Sequence, residues 1–401
     1  PARRHSRGPI GDHLTIRRRP RSAPVDAHAP PGDGDLMNNA LRRPALLAFA
    51  AAAAVAQLLV SLGCAPGPRS RPLDPVTLQP AADTAASSAS DAATPADAPQ
   101  HAAALPAYSV ATALPMPWGS LAARAAAADV VIIAERHDDT NGQRHAAELF
   151  EEIIDRAPGQ PALALEFLER DAQDLADDFA TGLVSRQGFA AALALKNRGS
   201  DVARRDMLGR NPVSTAGMPL LDPHLDMAAA ARDAGLPLIA ANAPRRYVGL
   251  IRAKGPAAAD DMTHEQRRLF VLPDQLTEGP YRDRFYGLMA HMTSSHGAAD
   301  TGKAAADVDA LYLAQNVWDA TMAESVLNAL NAGHEPVVLV VGQFHTDFQG
   351  GLLDRIRRAA PAANIMTISY EPTFSPRLRD EDAGRADVVV YSGSPAPTEG
   401  E

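Results

Sequence analysis

Four short and almost unbroken apolar runs constrain this chain more than any other feature. They cover Asp129 to Ala134, Ala162 to Glu166, Leu236 to Ala241 and Pro336 to Gly342, each nearly continuous in Val, Ile, Leu and Ala. A strand with one wet face alternates polar and apolar residues, whereas a strand without alternation is covered on both faces. Amphipathic stretches such as His145 to Ala157 and Leu311 to Ala332 lie between the runs. That alternation requires right-handed crossovers and predicts an α/β fold, with a mainly parallel central sheet flanked by helices. Weaker runs at Asn364 to Tyr370 and Ala386 to Tyr391 extend the sheet. The stretches 168–235 and 254–335 exceed a single crossover helix, so they predict a helical cap or subdomain.

Ligands of parallel sheets bind beyond the carboxyl ends of the strands, and polar residues collect at those ends. The first strand runs into Glu135-Arg136-His137-Asp138, the second ends at Glu166, the third at Asn242-Ala243-Pro244-Arg245, and the fourth at Gly342-Gln343-Phe344-His345. Glu135 and His137 are two residues apart, which on extended backbone places them on one side. Two carboxylates and two imidazoles, from Glu135, His137, Glu166 and His345, suit a divalent metal such as Zn, Mn or Co, or general acid/base work. The competing reading is structural: a strand-end Glu can cap the next helix or pair with Arg136 or Arg170, and a His can serve as a hydrogen-bonded core group.

The N-terminal third reads as address and tether. Residues 1–36 carry no apolar periodicity and are expected to be an upstream extension. From Met37, Arg42 and Arg43 precede the apolar run Ala45 to Val60, followed by Ser61-Leu62-Gly63-Cys64. A basic segment, an apolar segment and a small residue before the cut make an export signal over 37–63. The end of that segment resembles a lipoprotein lipobox, with Cys64 as the acylated first residue, although Ser61 stands where leucine is preferred. The alternative is a transmembrane anchor, for which the run is short and interrupted by Gln57. Residues 64–107 are rich in Ala, Pro, Ser and Thr, with too little bulky apolar surface to offset chain entropy, and read as a disordered tether. The folded domain is then 108–401. Ala65 carries no acidic retention mark, which points to the outer membrane, facing the periplasm or the surface.

Charge and cysteine usage narrow the function. Net charge is −10, yet residues 1–64 contain nine Arg and only four acidic residues, so the remainder is more acidic still. Such a domain is a poor partner for nucleic acid. The single cysteine excludes an intramolecular disulfide and any multi-cysteine metal site.

Taken together, several segments resemble the ChaN-like haem-binding lipoproteins of the Tiki superfamily. They are Ile132-Ile133-Ala134-Glu135-Arg136-His137-Asp138 with His145, Ala164-Leu165-Glu166, Ala240 to Arg245, the helix Ala314-Gln315-Asn316-Val317-Trp318-Asp319-Ala320-Thr321-Met322-Ala323-Glu324, and Gly342-Gln343-Phe344-His345. The resemblance spans about residues 120–375. Ala134 replaces the glycine of the family's first motif, and the stretch Pro212 to Asp226 lacks the expected tryptophan. Without the family, the 314–324 segment is an amphipathic helix with Leu311, Trp318 and Met322 on its core stripe.

Two functions follow. The resemblance implies a membrane-tethered protein that binds haem or an iron complex for uptake, acting as a single copy or a homodimer. Haem needs an apolar slot and an axial His or Tyr, for which Tyr281, Tyr286, His291 and His296 in the cap are candidates, with Asn242 and Arg245 as further cofactor contacts. The competing view makes 280–292 an ordinary amphipathic helix with packed aromatics and an exposed His. No Cys-x-x-Cys-His is present, so haem is expected to bind reversibly. The alternative function is a metal-dependent protease or esterase, as in related Tiki branches, in which Glu135, His137, Glu166 and His345 hold a metal or a water.

Overall fold

The computed structural model describes residues 105–196, 222–294 and 301–394, with Cys64 and His296 outside them. The four continuous apolar runs form β2 (Val130–Glu135), β3 (Ala162–Glu169), β4 (Leu238–Asn242) and β5 (Val337–Gly342). The weaker runs form β6 (Ile365–Glu371) and β7 (Val388–Tyr391). A strand of three residues, β1 (Ala107–Ser109), is too short to leave a periodic signature and was not anticipated. Strand order is β1-β7-β6-β2-β5-β3-β4. Among the described strands only the β1–β7 pairing is antiparallel, so the sheet is mainly parallel as expected.

The runs are unbroken because successive residues enter two different cores. In β2 and β5, Val131, Ile133, Val338 and Val340 face one helical layer, while Val130, Ile132, Val337, Leu339 and Val341 face the other. The first layer comprises α1 (Trp118–Ala126), α2 (Thr140–Arg156), α3 (Gln173–Ala180), α4 (186–196) and α5 (Asp222–Asp233). Asp139 starts α2 by accepting the Gly142 N–H at 2.9 Å, as an N-cap carboxylate does.

Of the two stretches expected to build a helical cap, 254–335 does so, through the short α7 (His264–Arg267), α8 (Pro280–Ser294) and the first part of α9 (Thr301–Asn331), joined by α6 (Arg245–Lys254); the described helices of 168–235 pack on the sheet instead, because their apolar faces enter its core. The cap has apolar clusters of its own, one around Tyr247, Ile251 and Phe270 and another around Tyr281, Phe285, Met289 and Tyr312. The later part of α9 leaves the cap and lays Met322, Ala323 and Val326 on the sheet, beside Leu352, Leu353 and Ile356 of α10 (Gly351–Ala359). One continuous helix therefore joins cap to sheet. Its residues 315–319 fall at the junction. Arg284 of α8 pins the cap to the loop after β5 by donating to the carbonyls of Phe344 (3.4 Å), Phe348 (3.5 Å) and Asp347.

The free edge of β4 is closed by a side chain. The Gln173 amide donates to the Leu238 carbonyl and accepts from the Ala240 N–H, both at 2.8 Å, so those groups offer no template to another strand. Among the described residues, no helix is long and apolar enough to cross a membrane.

Candidate functional site

Insertion of β5 between β2 and β3 brings three strand ends together. Glu135 of β2 lies in register with Gly342 of β5. Glu166 of β3 reaches across to accept the Gly342 N–H at 2.6 Å. Pairing between β3 and β4 shifts register between Leu165 and Glu169, and there the Asn242 amide donates to the Glu166 carbonyl at 3.1 Å. Its own oxygen accepts from the Ala243 N–H at 2.8 Å. Asn242 is thus committed to holding backbone.

Over this edge lies a cavity of about 60 Å³. Its polar side is formed by His137, Glu166, His345, Gln343, Asn242 and Arg245. Phe285 and Met289 of α8, Leu311 and Trp318 of α9, and Phe344 close it from the cap side. The Trp318 indole N–H is buried, with no hydrogen-bond partner among the described residues. Arg245 donates to Glu169 at 3.1 Å.

Two networks organise the charged groups. In the first, Glu135 accepts from His224 Nε2 at 2.9 Å, from the Gln143 amide at 3.1 Å and from His137 Nδ1 at 3.4 Å. Phe167 is stacked on His224 (4.1 Å between centroids) and edge-on to His137 (5.4 Å). Burial opposes ionisation of Glu135, but His224 and His137 together hold it below the ordinary carboxylate range. Burial likewise opposes a charge on His137, and its hydrogen bond to Glu135 with the nearby Glu166 carboxylate brings it above the ordinary imidazole value.

The second network runs from cap to sheet. His345 Nδ1 lies 2.5 Å from Asp319 Oδ1, and its Nε2 forms an ion pair with Glu166 at 3.6 Å. Tyr281 donates to the other Asp319 oxygen at 2.8 Å and accepts from the Gln315 amide at 3.0 Å. Burial disfavours charge on His345, yet Asp319 and Glu166 outweigh it and raise the group to about 10. Glu166, also buried, is brought down to about 2 by His345, His137 and the Gly342 N–H. These two groups form a fixed ion pair across the neutral range. A Cβ at Gly351 would meet Tyr281 at 2.5 Å and Asp319 at 2.6 Å, so α10 can start here only without a side chain.

Glu135, His137, Glu166 and His345, expected to share one metal, are divided between the two networks. Among the described residues, no three or more His, Cys, Asp or Glu side chains are placed to hold a metal ion. The physical reason is partnering: Glu135 is turned to His224 and Gln143 and does not line the cavity, while His345 is locked between two carboxylates. The cap candidates are also redistributed. Tyr281 is buried and bonded to Asp319, and Tyr286 donates to Asp309 at 2.5 Å. His291 is exposed, and none of the three lines the cavity. His145, quoted in the first motif, is buried with its Nδ1 2.8 Å from the Tyr370 hydroxyl.

Asp319, Gln315 and His224 complete the networks and were not singled out as site residues. The first two had a signal, since four-residue spacing puts two polar groups on one helix face beside Trp318. His224 had none, because it lies at the start of a helix and not at a strand end.

The family model described as haem-binding uptake, Tiki superfamily, ChaN, matches residues 121–202 and 222–356, more than half of the chain. The solved structure titled "Cofacial heme binding to ChaN of Campylobacter jejuni" is similar in fold, with 15% identity and a TM-score of 0.50 over 71% of this chain and 96% of that one. The type III effector HopBA1 overlaps at 14% identity and a TM-score of 0.35 over 69% of this chain and 93% of its own, a likeness too weak to carry argument. No curated protein matches the sequence. With its segments from 121 to 356 matching the family model, a mainly parallel sheet and a ChaN structure as fold neighbour, the chain belongs to the ChaN haem-binding uptake family of the Tiki superfamily.

Proposed function

We propose that this protein binds haem reversibly at the carboxyl edge of the sheet and serves haem or iron uptake from the cell envelope, tethered through an acylated Cys64. The observation that carries the reading is the division of the cavity, with Phe285, Met289, Leu311 and Phe344 facing His137 and Arg245. Apolar side chains suit a porphyrin face, an imidazole suits its iron, and a guanidinium suits its propionates. The residues fit haem in kind. In size, a cavity of about 60 Å³ is far below the roughly 300–1,000 Å³ that encloses a drug-sized ligand, so the described residues do not enclose a whole macrocycle. Haem, when bound, would supply an iron that accepts a protein donor, and Phe285, Met289, Leu311, Phe344, His137 and Arg245 are the residues that would hold it.

Titrating the full-length protein with haemin tests the reading. A Soret band that saturates at a fixed stoichiometry supports it. Absorbance that rises without saturation means nonspecific collection of porphyrin and defeats it.

A further inference from the structure

Resting on the tether reading, we infer that the turn after β1, with Leu114 at its tip, rests in the apolar surface of the lipid bilayer and holds the ligand cavity away from it. Residues 102–123 contain no charged side chain. Within the fold this stretch makes a tight hairpin. The Ser109 N–H donates to the Leu114 carbonyl at 3.0 Å and the Met116 N–H to the Ala107 carbonyl at 2.7 Å, with Tyr108 bridged to Pro115. Residues 111–115 are exposed, and Leu114 keeps 63% exposure. Ala113 has a φ of 55°, a left-handed conformation that turns usually give to Gly, Asn or Asp. A polar residue would fit that backbone better, yet the turn reads Val110-Ala111-Thr112-Ala113.

Scattered exposed apolar residues are ordinary, and Leu183, Leu195 and Phe374 are of that kind, each within three residues of a charged side chain. Leu114 has none within nine. Asp387, whose carbonyl accepts the Val110 N–H at 3.0 Å, turns its carboxylate to Thr367 at 2.8 Å. What the hairpin lacks identifies its occupant. Pro115 and Pro117 have no N–H, so the strand of a second copy finds few donors on the returning segment. Without charge, the turn selects no charged partner. A hydrocarbon surface requires neither. The first charge beyond the stretch is Arg124, exposed on the same face of α1 as Ser120 and without an ion-pair partner among the described residues. A guanidinium bordering an apolar face suits headgroup phosphates.

The tether makes a weak contact sufficient. Leu114 lies nine residues after Leu105, where the described fold begins. A tether of residues 65–104 anchored at Cys64 would have an r.m.s. span of roughly 35 Å. The domain would then meet the bilayer at an effective concentration on the order of millimolar, enough to populate a contact made by a few side chains. The contact also sets direction. The turn lies beside Asp387 and Val388, at the amino end of β7, whereas Glu166, Gly342 and His345 line the cavity at the carboxyl edge of the same sheet. A bilayer against the turn leaves the cavity facing outward.

The test uses the protein as cells process it, purified with its acyl chains and reconstituted in vesicles of phosphatidylethanolamine and phosphatidylglycerol that carry brominated acyl chains. Leu114→Trp adds a fluorophore at the tip, and Leu183→Trp adds one at another exposed leucine. We expect the emission added at position 114 to shift to shorter wavelength and to be quenched by bromine, and the emission added at position 183 to do neither. Ala113→Asp, which left-handed backbone accepts, should abolish that quenching when combined with Leu114→Trp, with unchanged circular dichroism. Quenching no greater at 114 than at 183, or quenching that survives Ala113→Asp, would overturn the bilayer contact and leave the tether standing. A processed protein that fails to associate with the vesicles would overturn both.

Discussion

His345 and Asp319, 26 residues apart, meet with Nδ1 and Oδ1 separated by 2.5 Å. This contact ties the loop after β5 to the long helix α9, and through it the carboxyl edge of the sheet to the cap. Because Tyr281 holds the second oxygen of Asp319, the cap helix α8 belongs to the same network.

Tyr281→Phe separates structural from ligand roles in that network. Removing the hydroxyl leaves a buried carboxylate oxygen short of a donor, which costs about 1–3 kcal/mol. Chemical denaturation should read that loss, while the haemin titration should keep its midpoint. A displaced midpoint would show that the phenol acts on the ligand.

The Glu166–His345 pair sets a pH signature. His345 is raised from 6.5 to about 10, so its stabilisation is complete below pH 6.5 and disappears as pH climbs through 10. Glu166 is lowered from 4.5 to about 2, so its stabilisation is complete above pH 4.5 and disappears as pH falls through 2. Unfolding free energies measured from pH 6 to 10 should decline in the unaltered protein and be flatter in His345→Gln. Parallel curves for the two proteins would refute the pairing.

How much of this could be read in advance follows from range. Strands β2 to β5 were plain in sequence because both faces of each are buried, and Val337 to Gly342 shows it within six residues. The convergence of His137, Glu166 and His345 was readable because parallel topology places strand ends along one edge. What sequence could not supply was the choice of partners. Glu135 looked like a cavity ligand beside His137, yet His224, 89 residues away, takes one of its oxygens. Tyr281 looked available until Asp319 and Gln315, contributed by α9, enclosed it. Ala134 in place of the first-motif glycine looked like a lost close approach. Gly342, on the neighbouring strand, is where close approach occurs.

Gln173→Ala should expose the edge of β4. The substitution removes both 2.8 Å bonds to the backbone of Leu238 and Ala240, at a cost of about 1 kcal/mol. Static light scattering over a concentration series should show greater self-association than in the unaltered protein. Identical profiles would mean that surrounding side chains suffice to shield the strand.

Cys64→Ala tests the tether. Fractionation of cells should find the variant released from membranes or retained as uncleaved precursor. Normal processing with unchanged membrane partitioning would exclude Cys64 as the anchor.

The central claim is that haem sits against the cavity between the sheet edge and the α8–α9 cap, and Leu311→Glu tests it most directly. Leu311 lines the cavity from α9 and is only partly buried, so a carboxylate there places charge against the apolar ring while the helix remains solvated. Haemin titrations of the two proteins side by side should show saturable binding in the unaltered chain and at least about tenfold weaker binding in the variant, with equal circular dichroism. Identical saturation curves would place haem elsewhere and contradict the account.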